Sequence, residues 1–149
     1  MLASDFIAEI EILYTPQKQM NDIKKIESSY DAFVILSDIW ADDKFYRERF
    51  YMLCLNNANK LVGFKLLGIG THTTCCVDVK SIVQTALLSH STGVVIAHNH
   101  PSCNINPSVC DKNITEKIKN ALSLIDIKLL DHIIMCDKSY FSFVDNGLI

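Results

Sequence analysis

Two histidines separated by one residue, His98 and His100, are followed, after seven intervening residues, by Ser108 and then Asp111 in this 149-residue chain. Imidazole nitrogen and carboxylate oxygen are donors that hold a catalytic transition metal when three protein groups leave a further position open. A metal held that way makes water a usable nucleophile near neutral pH. Each half of the pattern also has a plainer explanation. Histidines beside loops are common, and Ser108-x-x-Asp111 is a capping-box pattern in which the serine accepts from the third helical amide while the carboxylate reaches back to the serine amide. Taken together at this spacing, the two halves favour a metal site.

That chemistry needs elements that deliver the groups to one point. Val94-Val95-Ile96-Ala97 is short, apolar and rich in β-branched residues, so it reads as a buried strand whose C-terminal end delivers His98. If the backbone stays extended to His100, both imidazoles project to one side and Asn99 to the other. Pro101 then stops the strand. Pro107 and Ser108 start a helix over 109–124, with Ile114, Ile118, Ala121, Leu122 and Ile125 marking its core side and Asp111 in its first turn.

The remaining elements follow from periodicity and turn chemistry. Residues 7–14 alternate apolar and polar as a half-buried strand does, and a polar, lysine-rich connector follows from Pro16 to Glu27. Ser28-Ser29 offers a cap for a helix over 30–40. Residues 48–55 read as a strand, Asn56-Asn57-Ala58-Asn59-Lys60 as a hairpin turn, and 61–67 as the returning strand, broken or bent at Gly68-Ile69-Gly70. A further short strand is expected over 75–79, a helix over 81–88, and two last strands over 128–135 and 140–144. There is no internal repeat or linker. The expected organisation is an N-terminal strand and connector, residues 1–27, leading into one globular domain, residues 28–149.

Composition narrows the function classes. With 49% hydrophobic residues the chain can bury a proper core, and with a formal net charge of -3 it lacks the basic surplus that phosphate-backbone binding requires. No apolar run approaches the roughly 20 residues of a membrane span. Met1-Leu2-Ala3-Ser4-Asp5 lacks a charged region leading into an apolar one, so no signal peptide and a cytoplasmic location are expected. The six cysteines contain no Cys-x-x-Cys pair; in a cytosol they are expected to be reduced, with Cys54 a small core residue.

The joint pattern resembles the JAMM (JAB/MPN) zinc metalloprotease superfamily, and more closely its RadC branch, the bacterial "DNA repair protein RadC" group. The resemblance is carried by Ala97-His98-Asn99-His100-Pro101-Ser102, by Pro107-Ser108-x-x-Asp111, by Leu129-Leu130-Asp131-His132-Ile133-Ile134 and by the end Asp145-Asn146-Gly147-Leu148-Ile149. It extends upstream through Leu53-Cys54-Leu55-Asn56-Asn57-Ala58-Asn59-Lys60-Leu61 and covers approximately Ser28 to the C-terminus.

The resemblance implies an α+β, cytidine-deaminase-like JAB/MPN fold: a mixed sheet flanked by helices. It implies zinc as the cofactor, with His98, His100 and Asp111 as its ligands. Glu48 matches the family's general base, although its sequence context alone reads as a solvated strand start. Ser108 matches the serine that steadies the water and the oxyanion of the tetrahedral intermediate. His132, with Asp131, is expected to pack in the core or support the site, and His72 and His90 to be exposed. Relatives usually continue Pro-Ser with Gly-Asp-Pro, whereas this chain has Cys103-Asn104-Ile105 after Ser102. Cys103 and Cys110 are accordingly alternative thiolate ligands that could replace Asp111.

The function implied is zinc-dependent hydrolysis of peptide or isopeptide bonds in a peptide or protein substrate. The alternative is a non-catalytic metal-binding scaffold associated with DNA repair or mobile-element DNA transactions. Family association makes nucleic acid a candidate partner while the acidic charge argues against it, and longer relatives carry an N-terminal helix-hairpin-helix segment for which residues 1–27 leave no room.

Overall fold

The computed structural model describes residues 24–40, 45–70 and 77–149; the strand expected over 7–14, most of the connector, His72, Cys75 and Cys76 lie outside them. In chain order the elements are α1 (Ser29–Ile39), β1 (Arg49–Leu55), β2 (Leu61–Ile69), α2 (Val79–Leu88), β3 (Gly93–Asn99), α3 (Val109–Ser123), β4 (Lys128–Met135) and β5 (Tyr140–Ser142). The strands form one five-stranded sheet in the order β2-β1-β3-β4-β5. β1 runs antiparallel to β2 and β3, β3 parallel to β4, and β4 antiparallel to β5. The fold is therefore α+β, a mixed sheet flanked by three helices among the described residues.

Strand periodicity sorts the core into two layers. Tyr51, Leu53 and Leu55 of β1 and Val95 and Ala97 of β3 pack with Ala32, Ile35 and Leu36 of α1 on one face. Phe50, Met52 and Cys54, with Val94 and Ile96, pack on the other against Ile82 and Ala86 of α2 and Ile118 and Leu122 of α3. Because β3 is covered on both faces, all seven of its residues are buried, which explains why its sequence reads as a continuous apolar run. The same alternation carries the even-numbered residues of β3, His98 included, toward the side of the sheet that α3 covers.

Local chemistry sets the boundaries. Ser28 caps α1 and Ser108 caps α3, each with a full capping box. The Asn56 side chain accepts from the Ala58 and Lys60 amides, closing the β1–β2 turn, and Asn59 sits at a φ of 56. Three expectations are corrected. Val79 does not end a strand: it opens α2, because Asp78 caps that helix by accepting from the Lys80 amide at 3.1 Å. Gly68 and Ile69 do not break β2, which runs through them with only a register irregularity opposite Phe50 and Tyr51. β5 ends at Ser142, since the Val144 amide is taken by the Asp131 carboxylate instead of a strand partner.

The fourth correction concerns cysteine. Cys103 and Cys136 form a disulfide across 33 residues, with Cα atoms 5.2 Å apart. β3 and β4 are parallel neighbours with Asn99 paired to Met135, so the loops leaving their C-terminal ends start side by side. Sequence spacing carries no trace of that adjacency. Cys54 is buried, as expected, and burial pushes its thiol pKa up. No helix among the described residues is long and apolar enough to cross a membrane.

Candidate metal centre

The site forms where the C-terminal end of β3 meets the N-terminus of α3. His98 and Asn99 are the last residues of β3, and Pro101 follows His100 directly. Extended backbone up to that proline puts the two imidazoles on one side, with Nε2 atoms 3.0 Å apart. Asn99 points the other way. Its carboxamide oxygen accepts from the Arg49 amide at 2.8 Å and its NH2 group donates to the Arg47 carbonyl at 3.0 Å. Asn99 thereby grips the two residues that flank Glu48.

The β1–β3 register explains how a distant glutamate arrives. Phe50 pairs with His98, so two residues further along the antiparallel pair Glu48 comes level with His100 and on the same face. Glu48 is only 7% exposed, where its sequence context suggested a solvated strand start. One donor atom from each of Glu48, His98 and His100 lies within 4.8 Å of the others. The Glu48 carbonyl is further tied to the Gly70 amide at 2.8 Å.

Asp111 completes the cluster from α3. Its Oδ2 accepts the Ser108 amide at 2.7 Å and its own amide donates to Ser108 Oγ at 3.1 Å. That capping box does not compete with a role at the histidines; it aims the carboxylate at them. Oδ1 lies 3.1 Å from His98 Nε2 and Oδ2 lies 3.4 Å from His100 Nε2. Zinc bonds of about 2.0–2.1 Å arranged tetrahedrally set donor atoms roughly 3.3 Å apart, close to the separations observed here. Two imidazoles and a carboxylate are also a donor set that such a metal accepts, so the residues fit the group.

Electrostatics favour a cation at this point. Burial by itself would raise the Asp111 pKa, but hydrogen bonds from His100 and His98, the electrostatic effect of His98 and the Ser108 hydroxyl outweigh it and hold the carboxyl well below its usual range. The Asp111 hydrogen bond raises the His100 pKa against the opposing effect of burial, helped by the Asn104 carbonyl and the charges of Asp111 and Glu48. His100 Nδ1 donates to the Asn104 carbonyl at 2.5 Å, which leaves Nε2 as the ring's lone pair facing Asp111 when the ring is neutral. The His98 ring lies parallel to Phe50 with centroids 6.0 Å apart.

The segment 103–105 proves compatible with this geometry. Cys103 adopts a φ of 57, in the left-handed region that glycine favours. Its amide donates to the His100 carbonyl at 2.8 Å, and its sulfur is bonded to Cys136. The partner that orients His100 is the Asn104 main chain, which a side-chain change leaves in place. Cys110 is exposed on α3. The group that faces both histidines from α3 is the Asp111 carboxylate.

Two contributors escape sequence inspection. Asn99 bears no signal as a clamp on Glu48, because the contact is made across the sheet. Thr115 lies one helical turn beyond Asp111, and its hydroxyl bridges the Asp111 carbonyl and His132; the i, i+4 spacing could have found it. His132 is fully buried, with Nε2 at 2.7 Å from His98 Nδ1, which fits the supporting position expected of it. Asp131, by contrast, takes the His132 and Val144 amides and the Ser142 hydroxyl and so clamps β4 to β5. His90 is exposed, as expected.

A family model described as "RadC-like JAB domain" matches residues 26–148. A "UPF0758 protein" of Flavobacterium johnsoniae is 43% identical over 126 residues, covering 85% of this chain and 54% of that protein. Another from Chlorobium chlorochromatii is 31% identical over 147 residues, covering 99% of this chain and 65% of its own. "UPF0758 protein YeeS" of Escherichia coli K12 is 41% identical over 103 residues, covering 69% and 70%. The chain thus spans about half to two thirds of the length of these relatives. With its sheet, its histidine pair at the end of β3 and its capped aspartate on α3, the chain belongs to the RadC-like JAB domain family.

Proposed function

We propose that this chain is a zinc-dependent hydrolase of peptide or isopeptide bonds. His98 Nε2, His100 Nε2 and the Asp111 carboxylate are the ligands of one zinc ion. When bound, the metal supplies Lewis acidity, which polarises a carbonyl and lowers the pKa of water. Glu48 is the general base: its carboxylate takes a proton from the attacking water and passes it to the departing amine. Ser108 Oγ accepts the Asp111 amide, and its hydroxyl turns from the Asp111 carboxylate to the oxyanion of the tetrahedral intermediate. Asn99 holds the backbone on either side of Glu48 and so limits where that carboxylate can go.

The observation that carries this reading is the burial of Glu48 beside two histidines whose Nε2 atoms converge on a second carboxylate, that of Asp111. A carboxylate leaves water at a strand end only where polar or charged neighbours compensate for its desolvation, and a cation held between Glu48 and the two histidines would add to that compensation. Zinc fits the mixed nitrogen and oxygen donor set. A metal-binding scaffold without catalysis is the other reading that the donor set allows, and one experiment separates them. The zinc-loaded full chain is offered a library of peptides and isopeptide-linked peptides beside Glu48→Gln. Hydrolysis lost in the variant, with zinc content unchanged, supports the hydrolase. Stoichiometric zinc with no turnover on any substrate leaves the scaffold.

A further inference from the structure

Behind His98, away from the candidate metal position, lies a line of hydrogen bonds that the hydrolytic scheme does not use. His98 Nδ1 is 2.7 Å from His132 Nε2, His132 Nδ1 is 2.6 Å from Thr115 Oγ1, and Thr115 Oγ1 is 2.5 Å from the Asp111 carbonyl oxygen. All of these residues except Asp111, which is 9% exposed, are at most 2% exposed. Water therefore has little part in the line, and the protons must be shared out among the groups themselves.

Along this line, from the Asp111 carbonyl to His98 Nδ1, a neutral His132 leaves one distribution with no two lone pairs and no two hydrogens facing each other. A carbonyl oxygen cannot donate, so the single hydroxyl hydrogen of Thr115 lies toward Asp111. Thr115 Oγ1 must then accept from His132, which places the His132 hydrogen on Nδ1. The two His132 nitrogens meet only a histidine and a hydroxyl, neither an anion, so nothing at the ring compensates a buried imidazolium. His132 Nε2 is accordingly a lone pair and accepts from His98 Nδ1–H. The nitrogen of His98 left for a metal is Nε2, which faces His100 and Asp111.

We propose that Thr115 and His132 are positioning residues: a one-way hydrogen-bond relay, anchored on the main-chain carbonyl of Asp111, fixes the tautomer of His98 so that its Nε2 is free to bind a metal cation. The proposal rests on the metal reading of this site and adds the groups that prepare the ligand before the cation arrives. The relay also closes on itself, because the residue whose carbonyl anchors it is the one whose carboxylate faces His98 Nε2. An α3 that shifted along its axis would disturb both ends of His98 at once. Thr115→Val keeps the shape of the side chain and removes the acceptor. His132 is then free to carry its hydrogen on Nε2, which points it at His98 Nδ1 and drives the His98 hydrogen onto the metal-facing nitrogen.

The test uses the full chain labelled with 15N-histidine, stripped of metal, and reads each ring's tautomer from two-bond proton–nitrogen correlations, with His98→Gln assigning the His98 signals. Wild type is expected to show hydrogen on Nδ1 of both His98 and His132, and Thr115→Val to lose that uniform pattern while keeping a dispersed amide spectrum. Zinc affinity, measured by competition with a chromogenic chelator, should fall about 10–100-fold in Thr115→Val, the range for losing an outer partner of a ligand. Thr115→Ser should restore both readouts. No hydrogen on His98 Nδ1 in metal-free wild type overturns the relay, as does Thr115→Val binding zinc as tightly as Thr115→Ser. If wild type shows the expected tautomers but binds no zinc, the relay stands and the metal reading falls. If zinc binds and the tautomers are reversed, the relay alone falls.

Discussion

The chain uses the same four-residue device twice, Ser28-x-x-Asp31 at the start of α1 and Ser108-x-x-Asp111 at the start of α3, and only one of them sits at a site. Locally the two match. The aspartate amide donates to the serine hydroxyl at 3.2 Å in the first and 3.1 Å in the second, and the serine amide donates to the carboxylate at 2.9 and 2.7 Å. Beyond that turn they part. Asp31 meets only its neighbours, the Ser28 hydroxyl and the amides of Glu27 and Ser28, and these hydrogen bonds lower its pKa. Asp111 is buried and faces two imidazoles from β3. A capping box sets the direction of a carboxylate; what the neighbouring strand delivers opposite it decides whether that direction has chemical use.

The largest effect should come from neutralising each aspartate while keeping its capping geometry. Asp111→Asn is expected to weaken zinc binding by more than about 100-fold, beyond the loss of an outer partner, and Asp31→Asn to leave it unchanged, both measured by chelator competition. Equal effects at the two positions would erase the distinction. Next comes the disulfide, which ties the loop presenting His100 to the end of β4 and has no counterpart near Asp31. Cys103→Ser with Cys136→Ser is expected to lower stability by about 2–4 kcal/mol in urea unfolding and to weaken zinc binding, because the loop that carries Asn104 loses its tether. An unchanged affinity would show that the loop holds its shape unaided.

Acidity sharpens the contrast by a different route. The His100 pKa is raised, chiefly by its hydrogen bond to Asp111. Stability from that pair in the metal-free protein is therefore full below the ordinary histidine pKa and is lost as pH rises through the raised one. Zinc needs the unprotonated ring, so its affinity should move the opposite way, falling roughly tenfold per pH unit for each proton displaced once pH drops below the His100 pKa. Titrations at several pH values check this, and a flat profile would mean that His100 does not bind the metal. The smallest effect belongs to the caps. Ser28→Ala and Ser108→Ala should each cost about 1 kcal/mol of stability, and Ser108→Ala alone should also slow hydrolysis.

Much of this was legible in the residues, and the rest depended on distance in space. β3, α3 and β4 could be read almost to the residue, since their apolar spacing and caps are local properties. The two histidines and Asp111 were legible for the same reason: strand alternation and one helical turn fix their directions. Glu48 was identifiable only by family resemblance, because its burial comes from the β1–β3 register, which its own neighbours do not encode. Asn99 and the Cys103–Cys136 bond are contacts between elements and left no pattern along the chain, whereas Thr115 stands four residues after Asp111 on the same helix face. The start of α2 was missed although Asp78 marks it, since β-branched Val77 and Val79 drew attention from the cap.

The most direct measurement is a crystal structure grown with zinc and read by anomalous scattering. The expected result is one zinc bonded to His98 Nε2, His100 Nε2 and the Asp111 carboxylate, with Glu48 beyond bonding distance of the metal but within hydrogen-bond reach of the water on it. Zinc bonded to Glu48 in place of Asp111, or no zinc at these residues, would contradict it.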